Sequence, residues 1–365
     1  MHEEPAASPL NEPTIRSACP EALPQLTAGP ASPGAAAPQT GNPWPVLRRL
    51  LAVFEPFILA LLGVMLLASL LPARGALAPV AGAAADAGIV LLFFLHGARL
   101  SREAILAGAR NWRLHLAVFA ATYLLFPLLG LGASALPLFA PELAAGLLFL
   151  TLLPSTVQSS IAFTSIARGN VAAAVCSASF SNLAGVVLTP ALVALLMQGA
   201  AGGGVSFASV EAILLQLLLP FVLGHAARPW IGEWVGRNKR LVGLVDRGSI
   251  LLVVYTAFGA AVVQGLWRRL GLTDILLISA ACLAILALVL VATWWTARML
   301  RLAREDAIVL LFCGSKKSLA SGVPMAGVLF PAAAVGTLIL PLMIFHQLQL
   351  VACALIARRL GEERR

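Results

Sequence analysis

The sequence is short of charged residues. Lys, Arg, Asp and Glu make up 11% of its 365 residues, whereas hydrophobic residues make up 60%. A soluble domain carries about 25% charged and 45–50% apolar residues. This composition therefore excludes an ordinary water-soluble core as the place where so many apolar side chains are buried. Because about ten helices of about 20 apolar residues fit into a chain of this length, we predict an all-α polytopic membrane protein.

Paired cysteines and the common catalytic motifs are also lacking. The five cysteines are scattered, and none belongs to a CxxC pair, which argues against a zinc or disulfide framework. The absence of HExxH, GxSxG and Walker patterns argues against a zinc protease, an α/β-hydrolase and an ATP-driven pump. We expect no enzymatic activity and assign no metal site.

Basic residues outnumber acidic ones, and the formal net charge is +9. They form short clusters between apolar runs instead of the single patch that nucleic-acid binding needs, so we expect no nucleic-acid partner and a lipid bilayer around the chain. The runs lie near 51–71, 80–98, 114–132, 142–167, 170–197, 210–227, 248–267, 273–296, 307–330 and 333–357.

The distribution of Lys and Arg predicts how these runs are oriented. If the ten runs cross in alternation, nineteen Lys and Arg residues fall on one side and three, Arg74, Arg268 and Arg269, on the other. Basic residues concentrate in cytoplasmic loops, and a miscounted span would destroy the asymmetry. We therefore predict ten transmembrane helices in the inner (cell) membrane, with both termini in the cytoplasm.

Residues 1–45 have a different composition from the rest. They contain ten of the 23 prolines and show no apolar period. We interpret them as a disordered Pro/Ala-rich cytoplasmic tail. The transmembrane domain then occupies residues 46–360, and residues 361–365 form a second cytoplasmic tail.

Two of the apolar runs are interrupted by polar residues, at Pro154–Ser160 and Gly314–Pro324. In a hydrocarbon core the backbone can bond only to itself, so lipid-facing helices should be continuous. The fourth run carries the polar residues Ser155, Thr156, Gln158, Ser159, Ser160 and Thr164, and the ninth carries Ser315, Lys316, Lys317, Ser318 and Ser321. Helix packing explains any one of these hydroxyls equally well, but the two clusters together indicate a binding site.

The positions of the breaks predict an inverted repeat. Each is the fourth span of a five-span half, with the first repeat at about 46–197 and the second at about 208–360. An odd number of spans gives the two halves opposite orientations in the membrane. Interrupted segments at matching places in inverted halves are typical of the binding site of a secondary transporter.

The two lysines of the ninth span need a specific environment. A lysine at the membrane centre costs about 2.5–3.5 kcal/mol on insertion scales. We expect at least one of them to face a water-filled cavity. The alternative is a buried lysine that donates to carbonyls of the broken helices.

Further polar residues lie in the fifth and tenth spans. Ser177 and Ser181 share a helix face, because they are four residues apart, and with Asn182 they could line the break in the fourth span. Polar packing between helices is an equally good interpretation. His346 and Gln347 form a mid-membrane pair that serves either proton handling or a neutral hydrogen bond.

Three stretches carry a family resemblance: LPSTVQSSIAFTSIARGNVAAAVCSASFSNLAG, FCGSKKSLASGVPMA and LPLMIFHQLQL. They resemble the bile acid:sodium symporter superfamily, in particular the atypical bacterial branch that groups with the seventh member of the human bile-acid transporter family. The resemblance implies ten helices, with a core domain that holds crossed, interrupted helices four and nine. It also implies a panel domain of helices one, two, six and seven, and alternating access through relative motion of the two domains.

The resemblance also locates the sodium ligands of the relatives. Their Ser–Asn pair falls at Ser159 and Ser160, and their helix-five hydroxyls fall near Ala174 and Ala178. Their glutamate falls near Phe312 and a glutamine near Lys316. An ammonium a few ångströms from a sodium ion would repel it by about 4 kcal/mol at an effective dielectric near 20. Our hypothesis is that Lys316 or Lys317 replaces the bound cation, and then pairs with an anionic solute or carries a proton.

The sequence thus predicts a secondary active transporter of a small organic anion, with sodium or a proton as its coupling ion and no other cofactor. Two alternatives stay open at this point. One is a sensor or regulatory protein that keeps the fold but does not transport. The other is an intramembrane hydrolase with a dyad such as Ser155 and Lys317, although a dyad needs hydrogen-bond reach and an orienting partner.

Overall fold

The computed structural model describes residues 56–99, 111–197 and 214–362, and all of its regular elements are helices. The predicted tail at residues 1–45 lies outside these ranges, as do residues 363–365 of the predicted C-terminal tail. In chain order the helices are α1 Pro56–Leu70, α2 Leu77–Arg99, α3 Trp112–Ser134, α4 Pro141–Thr151, α5 Gln158–Ile166, α6 Val171–Leu196, α7 Leu219–Arg237, α8 Lys239–Val263, α9 Leu266–Arg269, α10 Leu272–Met299, α11 Arg304–Gly314, α12 Leu319–Leu329, α13 Ala332–Leu338 and α14 Leu340–Glu362.

Many of these helices are long enough to cross a bilayer. Within the described ranges, six stretches combine sufficient length with an apolar composition, namely α2, α3, α6, α8, α10 and the pair α13–α14. Large apolar side chains such as Val80, Leu272 and Val291 are well exposed on them, as expected of surfaces that face lipid tails. The chain is therefore a multi-pass membrane protein.

The two interrupted runs are indeed broken, but the second break is shorter than predicted. The fourth run divides between α4 and α5, and the ninth between α11 and α12. The prediction extended the second break to Pro324, whereas α12 already begins at Leu319 and contains that proline. Ser318 accepts a hydrogen bond from the Ser321 amide and so caps the helix early. The first break likewise ends earlier than predicted, because α5 already begins at Gln158. This helix also contains Ser159, Ser160 and Thr164.

The basic segment near residues 228–247 is helical, not a loop. We expected the sixth and seventh runs to end near 227 and to begin near 248, but α7 continues to Arg237 and α8 starts at Lys239. Long basic side chains can hold their charge in water while the helix continues beyond the apolar core. Arg237 pairs with Glu233 one turn away on the exposed face.

Helices α1, α2, α7 and α8 pack against one another. The α2–α7 contact is very close, because a Cβ atom at Gly97 would overlap the carbonyl oxygen of Phe221, and one at Gly224 would overlap the carbonyl oxygen of Phe94. An ion pair of 2.6 Å joins Arg99 of α2 to Asp246 of α8. This group therefore holds together through backbone contact as well as apolar packing.

Asp306, in the first turn of α11, ties together the starts of three helices. Its two carboxylate oxygens accept hydrogen bonds from Asn111 at 2.7 Å and Asn170 at 2.9 Å, the residues that precede α3 and α6. A carboxylate is favourable at helix N-termini, where the peptide dipoles leave partial positive charge. The three helices thus start at the same end of the bundle.

The α2–α7 contact makes a testable prediction. Gly224→Ala should lower the melting temperature in detergent, since overpacking a tight contact costs about 1–3 kcal/mol or more. Gly236→Ala in the same helix is the matched control, because a Cβ atom there meets nothing within 4 Å. Equal melting temperatures for the two variants would contradict the close contact.

Candidate substrate and ion site

The two helix breaks meet inside the protein. The amide of Ser318, in the second break, donates to the carbonyl of Pro154, in the first, at 2.8 Å. Ser155 and Ser318 are both buried. The half-helices α4, α5, α11 and α12 therefore cross at their interruptions, and we call this region the crossing.

Lys317 lies at the centre of the crossing and its charge is fully solvated by the backbone. Its Nζ donates to the carbonyls of Thr122 at 2.8 Å, Thr151 at 2.7 Å and Leu153 at 2.7 Å. The ring of Phe126 lies 4.1 Å from the same ammonium. Thr151 and Leu153 are at the C-terminal end of α4, where unpaired carbonyls carry partial negative charge, so the ammonium meets complementary charge.

A π-helical turn in α3 provides the third acceptor. Residues Ala121–Leu125 form this wide turn, and Thr122 is inside it. Such turns are rare, occur mostly as single turns inside α-helices, and are frequent at functional sites. Here the turn coincides with the carbonyl that completes the coordination of Lys317.

Two hydroxyls, one in the first break and one at the start of α5, donate in turn to the end of α11. Ser155 Oγ donates to the carbonyl of Cys313 at 2.6 Å, and Ser160 Oγ donates to that of Phe312 at 3.1 Å. Both acceptors are in the last turn of α11, where helix geometry leaves carbonyls without partners. Each broken helix thus receives hydrogen bonds from the other.

Gln349 on α14 holds the backbone of Lys317 from the other side. Its Oε1 accepts from the Lys317 amide at 2.8 Å and its Nε2 donates to the Lys317 carbonyl at 2.9 Å. The same Nε2 also lies 2.8 Å from His346 Nδ1. Gln347 was predicted as a site residue and Gln349 was not, although the i, i+3 spacing from His346 places Gln349 on the same helix face.

Lys316 is buried without such partners. Its Nζ has no hydrogen-bond acceptor within the described part of the chain. It lies 3.9 Å from the ring centroid of Phe163 and 5.5 Å from that of Phe312, so cation–π attraction is its principal favourable contact.

The expectation that a lysine faces a water-filled cavity does not hold in this conformation. Both side chains are 0% exposed. The alternative, a lysine that donates to carbonyls of the broken helices, describes Lys317. The reason is that the breaks cross, so the unpaired carbonyls of one helix end are within reach of the other helix.

A large cavity of about 1590 Å³ lies beside the crossing. Its polar wall contains eight of the sequence-predicted site residues, Thr156, Gln158, Ser159, Asn182, Ser318, Ser321, His346 and Gln347. Asn182 accepts a hydrogen bond from Ser321 Oγ at 2.8 Å. Residues from α5, α6, α12 and α14 thus form one continuous surface.

The other predicted residues do not line this cavity. Ser155, Ser160 and Ser181 belong to the crossing, where Ser181 Oγ accepts from the Ser155 amide at 3.1 Å. Thr164 and Ser315 each donate to a carbonyl one turn earlier in their own helices. Ser177 does not face the break, because it bonds to His115 at 2.7 Å.

The far wall of the cavity was not predicted. It comes from α2, α7 and α8, with Arg358 contributed by the end of α14, and we call it the basic wall. Its charged residues and two further histidines are Arg99, Arg228, Lys239, Arg240, Arg247, Arg358, Glu233, Asp246, His96 and His225. In the prediction from sequence, the six Lys and Arg residues of this set served only to orient the spans. Only the packing of α2, α7 and α8 against one another brings most of them to one surface.

The geometry does not support a Ser155–Lys317 hydrolase. Ser155 Oγ donates to the Cys313 carbonyl, while Lys317 donates to three carbonyls and so is held as a cation. A nucleophile needs a neutral base within hydrogen-bond reach. Within the described residues, no group of three or more His, Cys, Asp or Glu is placed to hold a metal ion.

An all-helical membrane protein whose two broken helices cross beside a large cavity with polar residues in its wall has the architecture of a membrane transporter. Comparison with known proteins identifies the family. Residues 55–362 match the model of the SBF-like CPA transporter family (DUF4137). The chain therefore belongs to this family of transporters, which are not enzymes.

Several named proteins are similar to the chain. An uncharacterized protein of Pseudomonas aeruginosa is 56% identical over 312 residues, covering 85% of this chain and 94% of the relative. A proposed symporter of Escherichia coli, YfeH, is 53% identical over 319 residues with the same coverage of 85% and 94%. The zebrafish (Danio rerio) sodium/bile acid cotransporter 7 is 27% identical over 271 residues, covering 72% of this chain and 80% of the relative. The resemblance noted in the sequence is confirmed.

The different environments of the two lysines predict different effects of the same substitution. Lys317→Met should lower the melting temperature strongly, because each buried carbonyl left without a donor costs about 1–3 kcal/mol. Lys316→Met loses no hydrogen bond and should leave the melting temperature unchanged or higher. Thermal unfolding of both variants in detergent tests this, and a larger loss for Lys316→Met would contradict the assigned contacts.

Proposed function

We propose that the protein is a secondary active transporter that moves a small organic anion by alternating access. The observation that carries the proposal is the cavity between the crossing and the basic wall. Its polar side is formed by the interrupted helices, and its other side by the α2, α7 and α8 group. Motion of one group of helices against the other would transfer the cavity from one membrane face to the other.

For the membrane topology we propose ten spans in two inverted five-helix repeats, in the bacterial inner membrane, with both termini in the cytoplasm. Contacts between helix ends support this alternation. Arg99 at the end of α2 pairs with Asp246 near the start of α8. Arg304 at the start of α11 donates to the Leu360 carbonyl near the end of α14 at 2.5 Å. These ends would share one face, the face predicted to be basic and cytoplasmic.

The charge of the cavity favours an anionic solute. Six Lys or Arg residues line it, against two acidic residues, Glu233 and Asp246. Lys239, Arg240 and Arg358 are exposed and lie near the ends of α8 and α14. A concave surface with an excess of one charge concentrates solutes of the opposite charge. In the proposed orientation this side of the cavity faces the cytoplasm.

The crossing itself adds partial positive charge at the polar wall. The first turns of α5 and α12 line the cavity through Gln158, Ser159, Leu319 and Ala320. Helix N-termini present unpaired amides and are suited to anions. The opposite, C-terminal ends of α4 and α11 are covered by Lys317, Ser155 and Ser160. The helix ends that are left for the solute are thus the positive ones.

For coupling, we propose that Lys317 serves as a built-in cation in place of sodium at the crossing. The positions that the resemblance assigns to sodium-binding hydroxyls, Ala174 and Ala178, are buried in an apolar cluster with Leu114, Val309 and Cys313. Such a cluster offers little to a sodium ion, which needs several oxygen ligands. Lys317, in contrast, already bonds to three carbonyl oxygens.

Transport should therefore not require sodium. Purified protein in liposomes, offered a panel of organic carboxylates, sulfonates and sulfate esters, should accumulate at least one of them equally well when choline replaces sodium. Protein-free liposomes are the control. Sodium-dependent uptake that does not respond to pH would contradict the proposal.

The basic wall makes a second prediction. Arg240→Gln should raise the KM for the transported anion several-fold and weaken its dependence on ionic strength, because a rim charge attracts the solute electrostatically. Arg359→Gln is the matched control, since Arg359 is also an exposed arginine, follows Arg358 on α14 and does not line the cavity. Equal KM values for the two variants would contradict an anion site at this wall.

The second candidate function is a sensor that binds the solute without moving it. The same liposomes distinguish the two, when bound anion is measured beside uptake for the wild type and for Lys316→Ala, Lys317→Ala and Ser160→Ala. Uptake that the variants lose supports transport. Binding without uptake under every gradient supports the sensor.

A further inference from the structure

Lys316 differs from its neighbour Lys317 in what holds its charge. Three carbonyls accept hydrogen bonds from Lys317, whereas Lys316 Nζ has none within the described part of the chain. A buried polar group without a hydrogen bond is costly. A buried lysine without hydrogen-bond acceptors gains little from keeping its charge, and buried lysines of this kind serve as general bases in enzymes.

One aromatic ring borders both Lys316 and the cavity. Phe163 on α5 lines the cavity, is only half-buried, and has its ring centroid 3.9 Å from Lys316 Nζ. Phe312 is the other ring beside the ammonium, but it is 0% exposed and does not line the cavity. A rotation of the Phe163 side chain would therefore connect the ammonium to the cavity, whereas no such path passes Phe312.

Building on the proposed function, we propose that Lys316 is the proton-carrying group of the transport cycle and that the Phe163 ring is the lid that controls its access to the cavity. With the lid turned aside, an N–H bond of the ammonium breaks, the electron pair stays on nitrogen, and water in the cavity takes the proton. The reverse step reloads the amine. Phe163 is then a positioning residue and Lys316 the group that carries the charge.

The surroundings of Lys316 allow this cycle. The titratable groups that interact with it are the thiols of Cys313 on α11 and Cys353 on α14, and the imidazole of His346 on α14. The ammonium of Lys317 is adjacent in the chain. No carboxylate is found among these groups in the described part of the protein, so no fixed negative charge locks a proton on Lys316.

Amine-specific labelling tests the lid directly. The full-length protein in nanodiscs is treated with a small acetylating reagent, and the acetylated fractions of Lys316 and Lys317 are followed by mass spectrometry. Acetylation of Lys316 should be slow in the wild type and faster by about tenfold or more in Phe163→Ala, because local opening controls the reactivity of buried groups. Lys317 should stay unmodified in both.

Phe312→Ala is the matched control, because it removes the other ring without opening a path from the cavity. The inference is overturned if Phe163→Ala does not accelerate labelling of Lys316. It is also overturned if Phe312→Ala accelerates it equally, or if Lys317 is labelled as fast as Lys316. Phe163→Leu serves as a second variant if Phe163→Ala does not fold.

An uptake measurement distinguishes failure of this inference from failure of the proposed function. The liposomes carry a pH gradient and no sodium, and the probe is the anion of the panel that the wild type takes up. Lys316→Arg and Lys316→Gln should still bind this anion, but the pH gradient should no longer stimulate its uptake. The reason is that neither the arginine nor the glutamine side chain exchanges a proton near neutral pH. Unchanged pH stimulation in both variants overturns the role of Lys316 and leaves anion transport standing. If the wild type neither binds nor takes up any anion of the panel, the proposed function fails.

Discussion

The architecture depends on the hydrogen bonds that join two interrupted helices inside a membrane. Where a helix stops in an apolar environment, its last carbonyls need hydrogen-bond partners that lipid cannot supply, and so do the first amides of the helix that follows. Here the partners come from the opposite break. Lys317 bonds to the carbonyls at the end of α4, while Ser155 and Ser160 bond to those at the end of α11. Neither interruption would be stable alone, and this explains why the two breaks occur together.

The same arrangement places the negative and the positive helix ends at different sites, which links the stability of the crossing to the proposed function. The negative helix ends are covered by an ammonium and two hydroxyls, and the positive ends of α5 and α12 are directed to the cavity. Across the cavity stands a wall rich in Lys and Arg from α2, α7 and α8. One relative is named a sodium/bile acid cotransporter. In the proposed mechanism Lys317 is the cation of the crossing, and the proposed anion site beside it uses the same electrostatics.

Much of this could be predicted from the sequence, because the membrane imposes strict rules on composition. Long apolar runs, and the polar residues after Pro154 and at Lys316–Lys317, identify the helices and the two breaks, whereas the crossing was implied only by the family resemblance. The different roles of the two lysines could not be predicted, since adjacent residues point in different directions only once the backbone of the break is known. Gln349 and the basic wall were missed for a related reason. Their partners are distant in sequence, and Arg99 and Arg240 are equally well explained as charges at helix ends.

The central claim, that Lys317 is a built-in cation of the crossing, is tested most directly by removing its side chain and offering free cations. Melting temperatures of the wild type and Lys317→Ala would be measured in detergent with ethylammonium, sodium or choline chloride at equal ionic strength. A ligand that binds only the folded state stabilises it, so ethylammonium or sodium should raise the melting temperature of Lys317→Ala, and choline should not. The wild type should respond to none of them. A Lys317→Ala variant as stable as the wild type, or one that no cation stabilises more than choline does, would contradict the claim.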